Sequence, residues 1–92
     1  MRTFGEHKVE YFEFQLEGEE QIYKIPVAAS MPFAVLNEMR IADNDERFPV
    51  QVEMLRKYMG DVVDTLSAQV LSDIILAWSE ESKKAGASVG ES

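Results

Sequence analysis

Histidine, cysteine and clustered carboxylates carry out much of protein catalysis and metal binding, and this chain has few of them. It contains one histidine, His7, and no cysteine. Disulfides, thiolate metal sites and cysteine nucleophiles are therefore excluded. Since His7 lies outside every predicted helix and strand, we expect it to be a solvated surface residue and expect neither a metal site nor a cofactor.

Neighbouring carboxylates are more numerous, and a hard cation is the ligand that they would bind. The segment 43–46 carries three acidic side chains but lacks the glycine and the distal glutamate of an EF-hand loop. No glycine-rich segment has the lysine and the strand-to-helix position of a phosphate-binding loop. We interpret the acidic residues as solvated surface and expect a protein without enzymatic activity.

Composition limits the class of protein further. The chain has 92 residues, of which 9 are basic and 17 acidic, for a net charge of −8. This length favours one domain, and a hydrophobic content of 46% is too high for a disordered acidic segment. The longest uncharged run, residues 25–37, is shorter than the ~18–20 residues that span a membrane. We expect a soluble intracellular domain that binds neither nucleic acid nor membrane.

The N-terminal third of the chain has the pattern of a β-hairpin. Phe12, Phe14 and Leu16 alternate with polar residues, which is the period of a strand with one buried face. A Gly-containing acidic turn at 17–20 follows, and residues 21–27 form the second strand. There Tyr23, Ile25 and Val27 share one face and Ile22 lies on the other.

Helical patterns fill the rest of the chain. A first helix is predicted at 31–42, with Ser30 as its N-cap, and a charged loop follows at 43–47. A second helix at 50–59 ends at Gly60. A third, at 67–83, is capped by Ser67. The predicted fold is thus α+β, a hairpin followed by about three helices, with a flexible segment at 1–8, one domain at 9–84 and a disordered tail at 85–92.

The apolar faces of the second and third helices are unusually broad. On a helical wheel, the apolar arc of the second helix covers about 200°, whereas one-sided packing needs little more than 100°. Contact with two neighbouring elements would account for part of this surplus. The remainder predicts a second apolar surface that binds another protein, and the residues that we expect to carry it are Met54, Tyr58, Met59, Leu76 and Trp78.

Three stretches of the sequence are similar to one known family. They are the aromatic segment 10–14, the Pro32-Phe33 helix opening, and the segment 66–78, which ends in Trp78 and precedes a tail containing Val89-Gly90-Glu91-Ser92. Together they resemble the tail assembly chaperones of long-tailed bacteriophages, especially phages of actinobacterial hosts. The resemblance spans most of residues 9–92.

The resemblance implies a small protein of the infected host cytoplasm that is absent from the mature virion. Such a protein coats the helical tape measure protein and helps tail tube subunits to assemble around it. The tail tube protein and further copies of the chain are additional candidate partners. The chain would correspond to the short product of a programmed frameshift, or to the N-terminal domain of the long product. Trp78 and Gly90-Glu91-Ser92 are the only positions that the resemblance carries over residue by residue.

A second function from a different class is compatible with the charge. An acidic phage-encoded inhibitor that mimics nucleic acid and blocks a host DNA-binding protein would also carry a large negative charge. Basic residues such as Lys24, Arg40 and Arg56 interrupt the acidic ones, however, and no continuous acidic stripe is visible in the sequence. The chaperone is therefore the favoured hypothesis.

Overall fold

The computed structural model describes residues 1–5 and 7–90, with the backbone alone for 86–90. The predicted class is confirmed, because an antiparallel hairpin is followed by three α-helices. Two short 3₁₀ helices, Ala28–Ser30 and Gly60–Thr65, lie between them. The main elements are β1 (Tyr11–Gln15), β2 (Ile22–Pro26), α1 (Phe33–Ile41), α2 (Asn44–Met59) and α3 (Ala68–Gly90).

The hairpin has the two faces that the alternation predicts. Phe12 pairs with Ile25 and Phe14 with Tyr23, and these pairs point toward the helices. Ile22 lies on the opposite face and is exposed, as expected. Gly18 occupies the turn with φ +83°, a conformation that side chains other than glycine rarely adopt. The hairpin therefore supplies one apolar face for α2 and α3 to cover.

The first helix begins later than predicted, at Phe33 instead of residue 31, and ends at Ile41. Ser30 is not its N-cap, so that prediction is wrong; Pro32 occupies the cap position. Ser30 lies instead in the first 3₁₀ helix, where its hydroxyl accepts a hydrogen bond from the Glu10 backbone N–H at 3.0 Å. The serine is used to hold the start of the hairpin, a long-range role that local pattern does not reveal.

The second helix begins at Asn44, six residues before the predicted start, so the predicted loop at 43–47 is wrong. Asp45 and Glu46 lie in the first turn, where negative charge is favourable next to the helix N-terminus. Pro49 has no backbone N–H, so the carbonyl four residues earlier lacks its usual helical donor. Residues 43–49 are exposed, and water can hydrate that carbonyl. The predicted end is confirmed at Gly60, which has φ +82°.

The third helix is capped as expected. The Ser67 hydroxyl accepts a hydrogen bond from the Val70 N–H at 3.2 Å. The helix continues to Gly90, whereas the sequence pattern predicted an end near 83 and a disordered tail from 85. Once a helix is formed, each added residue costs little, and the alanines at 85 and 87 are strong helix formers. Residues 91 and 92 of the predicted tail lie outside the described residues.

Two long-range hydrogen bonds attach α3 to the end of the hairpin. The Trp78 indole N–H donates to the Pro26 carbonyl at 2.8 Å, and this bond is buried. One turn later, the Ser82 hydroxyl accepts the Ala28 N–H at 2.9 Å. Around them lies a single apolar core made of Leu16, Tyr23, Ile25, Met31, Met54, Leu55, Met59, Val63, Leu71, Ile74, Ile75 and Trp78.

An ion-pair cluster holds the second 3₁₀ helix against α2. The Arg56 guanidinium donates two hydrogen bonds of 2.7 Å to the Asp64 carboxylate and one of 2.9 Å to Glu53. The two bonds from Arg56 hold the pKa of Asp64 below its ordinary value of 3.8. Asp64 thereby fixes the segment that connects α2 to α3.

Replacing Trp78 by phenylalanine tests the attachment of α3. Trp78→Phe keeps a ring in the core but leaves the buried Pro26 carbonyl without a donor. We expect the free energy of unfolding to fall by about 1–3 kcal/mol. Urea unfolding followed by circular dichroism measures it, since the variant has no tryptophan fluorescence. Leu76→Ala, an exposed position on the same helix, is the control and should change it by about 0.5 kcal/mol or less. Equal stability of Trp78→Phe and the wild type would contradict the assignment.

Acidification tests the Arg56–Asp64 pair. Because the pKa of Asp64 is lowered in the folded state, its ionised form stabilises the fold above the ordinary value of 3.8, and this contribution disappears as the pH falls from there through the lowered pKa. Asp64→Asn should therefore lose less stability than the wild type between pH 7 and pH 3, measured by urea unfolding. The control, Asp61→Asn, removes a fully exposed carboxylate 3.9 Å from Arg56. Identical pH dependence in Asp64→Asn and the wild type would refute the prediction.

Candidate protein-binding surfaces

Three of the five residues predicted to bind a partner lie in the interior. Met54, Met59 and Trp78 belong to the core. Met54 and Met59 are buried on α2, a helix that contacts β2 and the second 3₁₀ helix. The Trp78 indole N–H is occupied by the Pro26 carbonyl. In the folded domain these side chains offer a partner little surface, and they contribute by holding the fold.

The other two predicted residues have more exposure. Tyr58 is half-buried at the edge of the core, and burial raises the pKa of its phenol. Leu76 is 62% exposed and points away from the core on the outer side of α3. The structure therefore does not bring the five predicted residues together on one surface.

An open apolar groove lies instead between the hairpin and α3. We call it the aromatic groove; it has a volume of about 440 Å³. One wall comes from β1 and the turn after it, and the other from the first half of α3. The groove is lined by Phe12, Phe14, Gln15, Leu16, Glu17, Glu19, Leu66, Val70, Asp73, Ile74 and Ala77.

Stacked rings form the hairpin wall of the aromatic groove. The ring centroids of Phe12 and Phe14 are 5.2 Å apart, and those of Phe14 and Tyr23 are 5.6 Å apart. The stack follows from the register, since Phe12 and Phe14 are alternate residues of β1 and Phe14 pairs with Tyr23 across the hairpin. Phe12 and Phe14 remain half-buried because α3 covers only part of this face.

The rim of the aromatic groove is acidic. Glu17 and Glu19 lie on the turn side and Asp73 on α3. The Tyr23 hydroxyl donates a hydrogen bond of 2.9 Å to Glu19, which raises the pKa of Tyr23 because the neutral phenol is the donor. Val70, 37% exposed, lies on α3 one turn before Asp73. Apolar walls with carboxylates at the edge suit an apolar segment that carries positive charge beside its apolar stripe.

A second exposed apolar surface surrounds α1. No residue of this helix is buried, and Phe33 and Ile41 are 69% and 68% exposed. Between α1 and α2 lies a shallow groove of about 380 Å³, which we call the α1–α2 groove. Its lining combines apolar and acidic side chains: Glu38, Ile41, Ala42, Glu46, Val50 and Glu53.

Within residues 1–5 and 7–90, no three His, Asp or Glu side chains converge in a way that could hold a metal ion. His7 is exposed in the N-terminal segment. No helix of the described chain combines the length and the apolar character that crossing a membrane requires. Binding through the apolar grooves is the chemistry that this arrangement supports.

Comparison with known proteins gives no relative from which a function could be transferred. No protein family, no curated protein and no solved structure matches this chain.

The aromatic groove could be anticipated from the residue types in the sequence, although not from their periodicity alone. Phe12 and Phe14 are predicted on the inner face of the hairpin, and they are there. Periodicity does not show how much of this inner face the covering helix buries. A two-stranded sheet with three aromatic side chains on one face presents more apolar area than one helix covers, and that comparison would have indicated Phe12, Phe14 and Val70.

Titration of Tyr23 tests the geometry of the rim. In a Tyr11→Phe/Tyr58→Phe background, Tyr23 is the only tyrosine, and phenolate absorbance reports its pKa. Glu19→Ala should lower this pKa toward the ordinary value of 10.0 because it removes the hydrogen-bond acceptor and the negative charge. Glu20→Ala, which removes the adjacent charge, is the control and should have a much smaller effect. Equal shifts in the two variants would show that the Tyr23–Glu19 bond does not form.

Proposed function

We propose that this chain is a non-enzymatic assembly chaperone that binds an apolar helical segment of a client in the aromatic groove. The client of the proposal is a phage tape measure protein, and the role is to promote tail tube assembly in the host cytoplasm. The observation that carries the binding role is the half-open aromatic stack of Phe12 and Phe14 beside α3. The identity of the client rests on the sequence resemblance.

A helix is the form of client that the groove favours. The walls are a strand and a helix. Apolar side chains lie at intervals along α3, at Val70, Ile74 and Ala77, and Leu66 adds a further one just before the helix begins. An amphipathic helix presents anchors at i, i+3, i+4 and i+7, and such a stripe fits a groove of this kind. A long helical client has many such stripes, so several copies of this chain would bind along it.

The acidic rim supports the chaperone role in a second way. A bound copy would replace exposed apolar client surface with a surface from a protein of net charge −8. Coated segments of the client would then repel each other, which opposes aggregation. Binding through apolar contacts and repulsion between coated segments requires no chemical step by the chain.

Coexpression with the tape measure protein encoded next to this chain tests the function. We expect the chain to raise the soluble fraction of that protein. Val70→Lys places a charge on the groove wall, and we expect it to weaken binding about 30-fold, the effect of losing roughly 2 kcal/mol at an interface hot spot. Both Val70 and Leu76 are on α3, so Leu76→Lys, outside the groove, is the matched control and should keep the wild-type effect.

The outcomes test the chaperone function and the position of the binding site separately. If the tape measure protein is no more soluble with the wild-type chain than without it, the chaperone function is wrong. If Leu76→Lys abolishes the effect and Val70→Lys does not, the role stands but the aromatic groove is not the site. Binding to a host DNA-binding protein that weakens steeply between low and physiological salt, without any effect on the solubility of the tape measure protein, would favour the nucleic-acid mimic instead.

A further inference from the structure

The α1–α2 groove is separate from the aromatic groove, since no described residue lines both. Its apolar floor is formed by Ile41, Ala42 and Val50, and its carboxylates by Glu38, Glu46 and Glu53. Glu53 pairs with Arg56 at 2.9 Å, whereas Glu38 and Glu46 have no ion-pair partner within the described part of the chain. The groove therefore combines exposed apolar area with two carboxylates available for an outside cation.

The N-terminal segment 1–8, which we call the arm, has the complementary character. Its described residues form no helix or strand, and Phe4 is 80% exposed. The Arg2 guanidinium lies over the Phe4 ring at 5.2 Å from the centroid, so cation and aromatic ring are presented together. Arg2 and Lys8 against Glu6 give the arm a net charge of 2 − 1 = +1, while residues 9–92 carry 7 − 16 = −9.

We propose that the arm of one copy binds the α1–α2 groove of a second copy. Phe4 covers Ile41 and Val50, and Arg2 and Lys8 pair with Glu38 and Glu46. In the single chain residues 1–5, 7 and 8 of the arm are exposed, and none of them lines the groove, so the groove is open to another molecule. The negatively charged domains of two copies repel each other. The arm has the opposite, positive net charge, so the acidic groove of another copy attracts it.

The attachment of the arm allows it to reach across to a partner. Its exit point is fixed, because the Glu10 N–H is held by Ser30 and the Glu10 carbonyl accepts the Val27 N–H at 3.0 Å. From there eight extended residues span about 26–29 Å. Two copies related by a twofold axis would each donate an arm and receive one, which doubles the contact area of the pair.

Charge exchange between arm and groove tests this pairing in the full-length chain. Sedimentation analysis at low salt should show that the wild-type protein dimerises. Arg2→Glu/Lys8→Glu reverses the arm, and Glu38→Lys/Glu46→Lys reverses the groove. Each should raise the dimer dissociation constant about tenfold, and an equimolar mixture of the two should form a heterodimer. Lys83→Glu/Lys84→Glu makes the same change in net charge as the arm variant, at exposed sites on α3, and should retain more of the wild-type association.

The absence of cysteine in the sequence provides a second measurement. Thr3→Cys and Ala42→Cys, made in separate chains, place one thiol on the arm and one in the groove. Mixed under mild oxidation, they should give a disulfide-linked heterodimer faster than Thr3→Cys mixed with Ser72→Cys, an exposed position on α3. Circular dichroism of every variant confirms that the fold is retained.

A wild-type chain that remains monomeric at millimolar concentration overturns the proposal. So does a dimer that is indifferent to both charge reversals, or a Thr3→Cys chain that crosslinks to Ala42→Cys no faster than to Ser72→Cys. These outcomes are independent of the chaperone test, because the aromatic groove is unchanged in all of these variants. Loss of dimerisation with normal client binding would remove this inference alone.

Discussion

A two-stranded hairpin has one apolar face and is marginal on its own, so the structure depends on how that face is covered. The covering is fixed at one end of the hairpin. There the Trp78 indole donates to the Pro26 carbonyl and the Ser82 hydroxyl accepts from Ala28, which joins α3 to residues more than fifty positions earlier. A buried carbonyl without a donor costs more than most apolar contacts gain. This pair of bonds therefore selects one placement of α3 on the hairpin.

That placement also explains why an apolar groove remains. Ile25, near the attachment, is fully buried, whereas Phe12 and Phe14 are only half-buried. Val70 of α3 and Leu66, which precedes that helix, line the aromatic groove together with Phe12 and Phe14. The aromatic groove is thus the part of the hairpin face that α3 leaves uncovered.

Sequence reasoning succeeded where the signal was local. The inner face of the hairpin, the Ser67 cap and the Gly60 end depend on alternation, on a side-chain oxygen and on a positive φ, each readable within a few residues. It failed where contact with a distant part of the same chain determines the structure. The breadth of the apolar arc on α2 was interpreted as surplus surface, but Met54 and Met59 are buried in the core, and α2 contacts both β2 and the second 3₁₀ helix. A helical wheel counts apolar positions without counting the neighbours that cover them.

Both grooves have the same physical composition, an apolar floor with carboxylates at the margin. Direct association of groove with groove would bring like charges together and desolvate them, which is unfavourable. A neutral or basic apolar segment meets no such barrier, since its cations can pair with the margin while its apolar side chains reach the floor. The acidic character of the chain therefore leaves the apolar floors accessible to neutral or basic segments. It disfavours contact between two identical grooves.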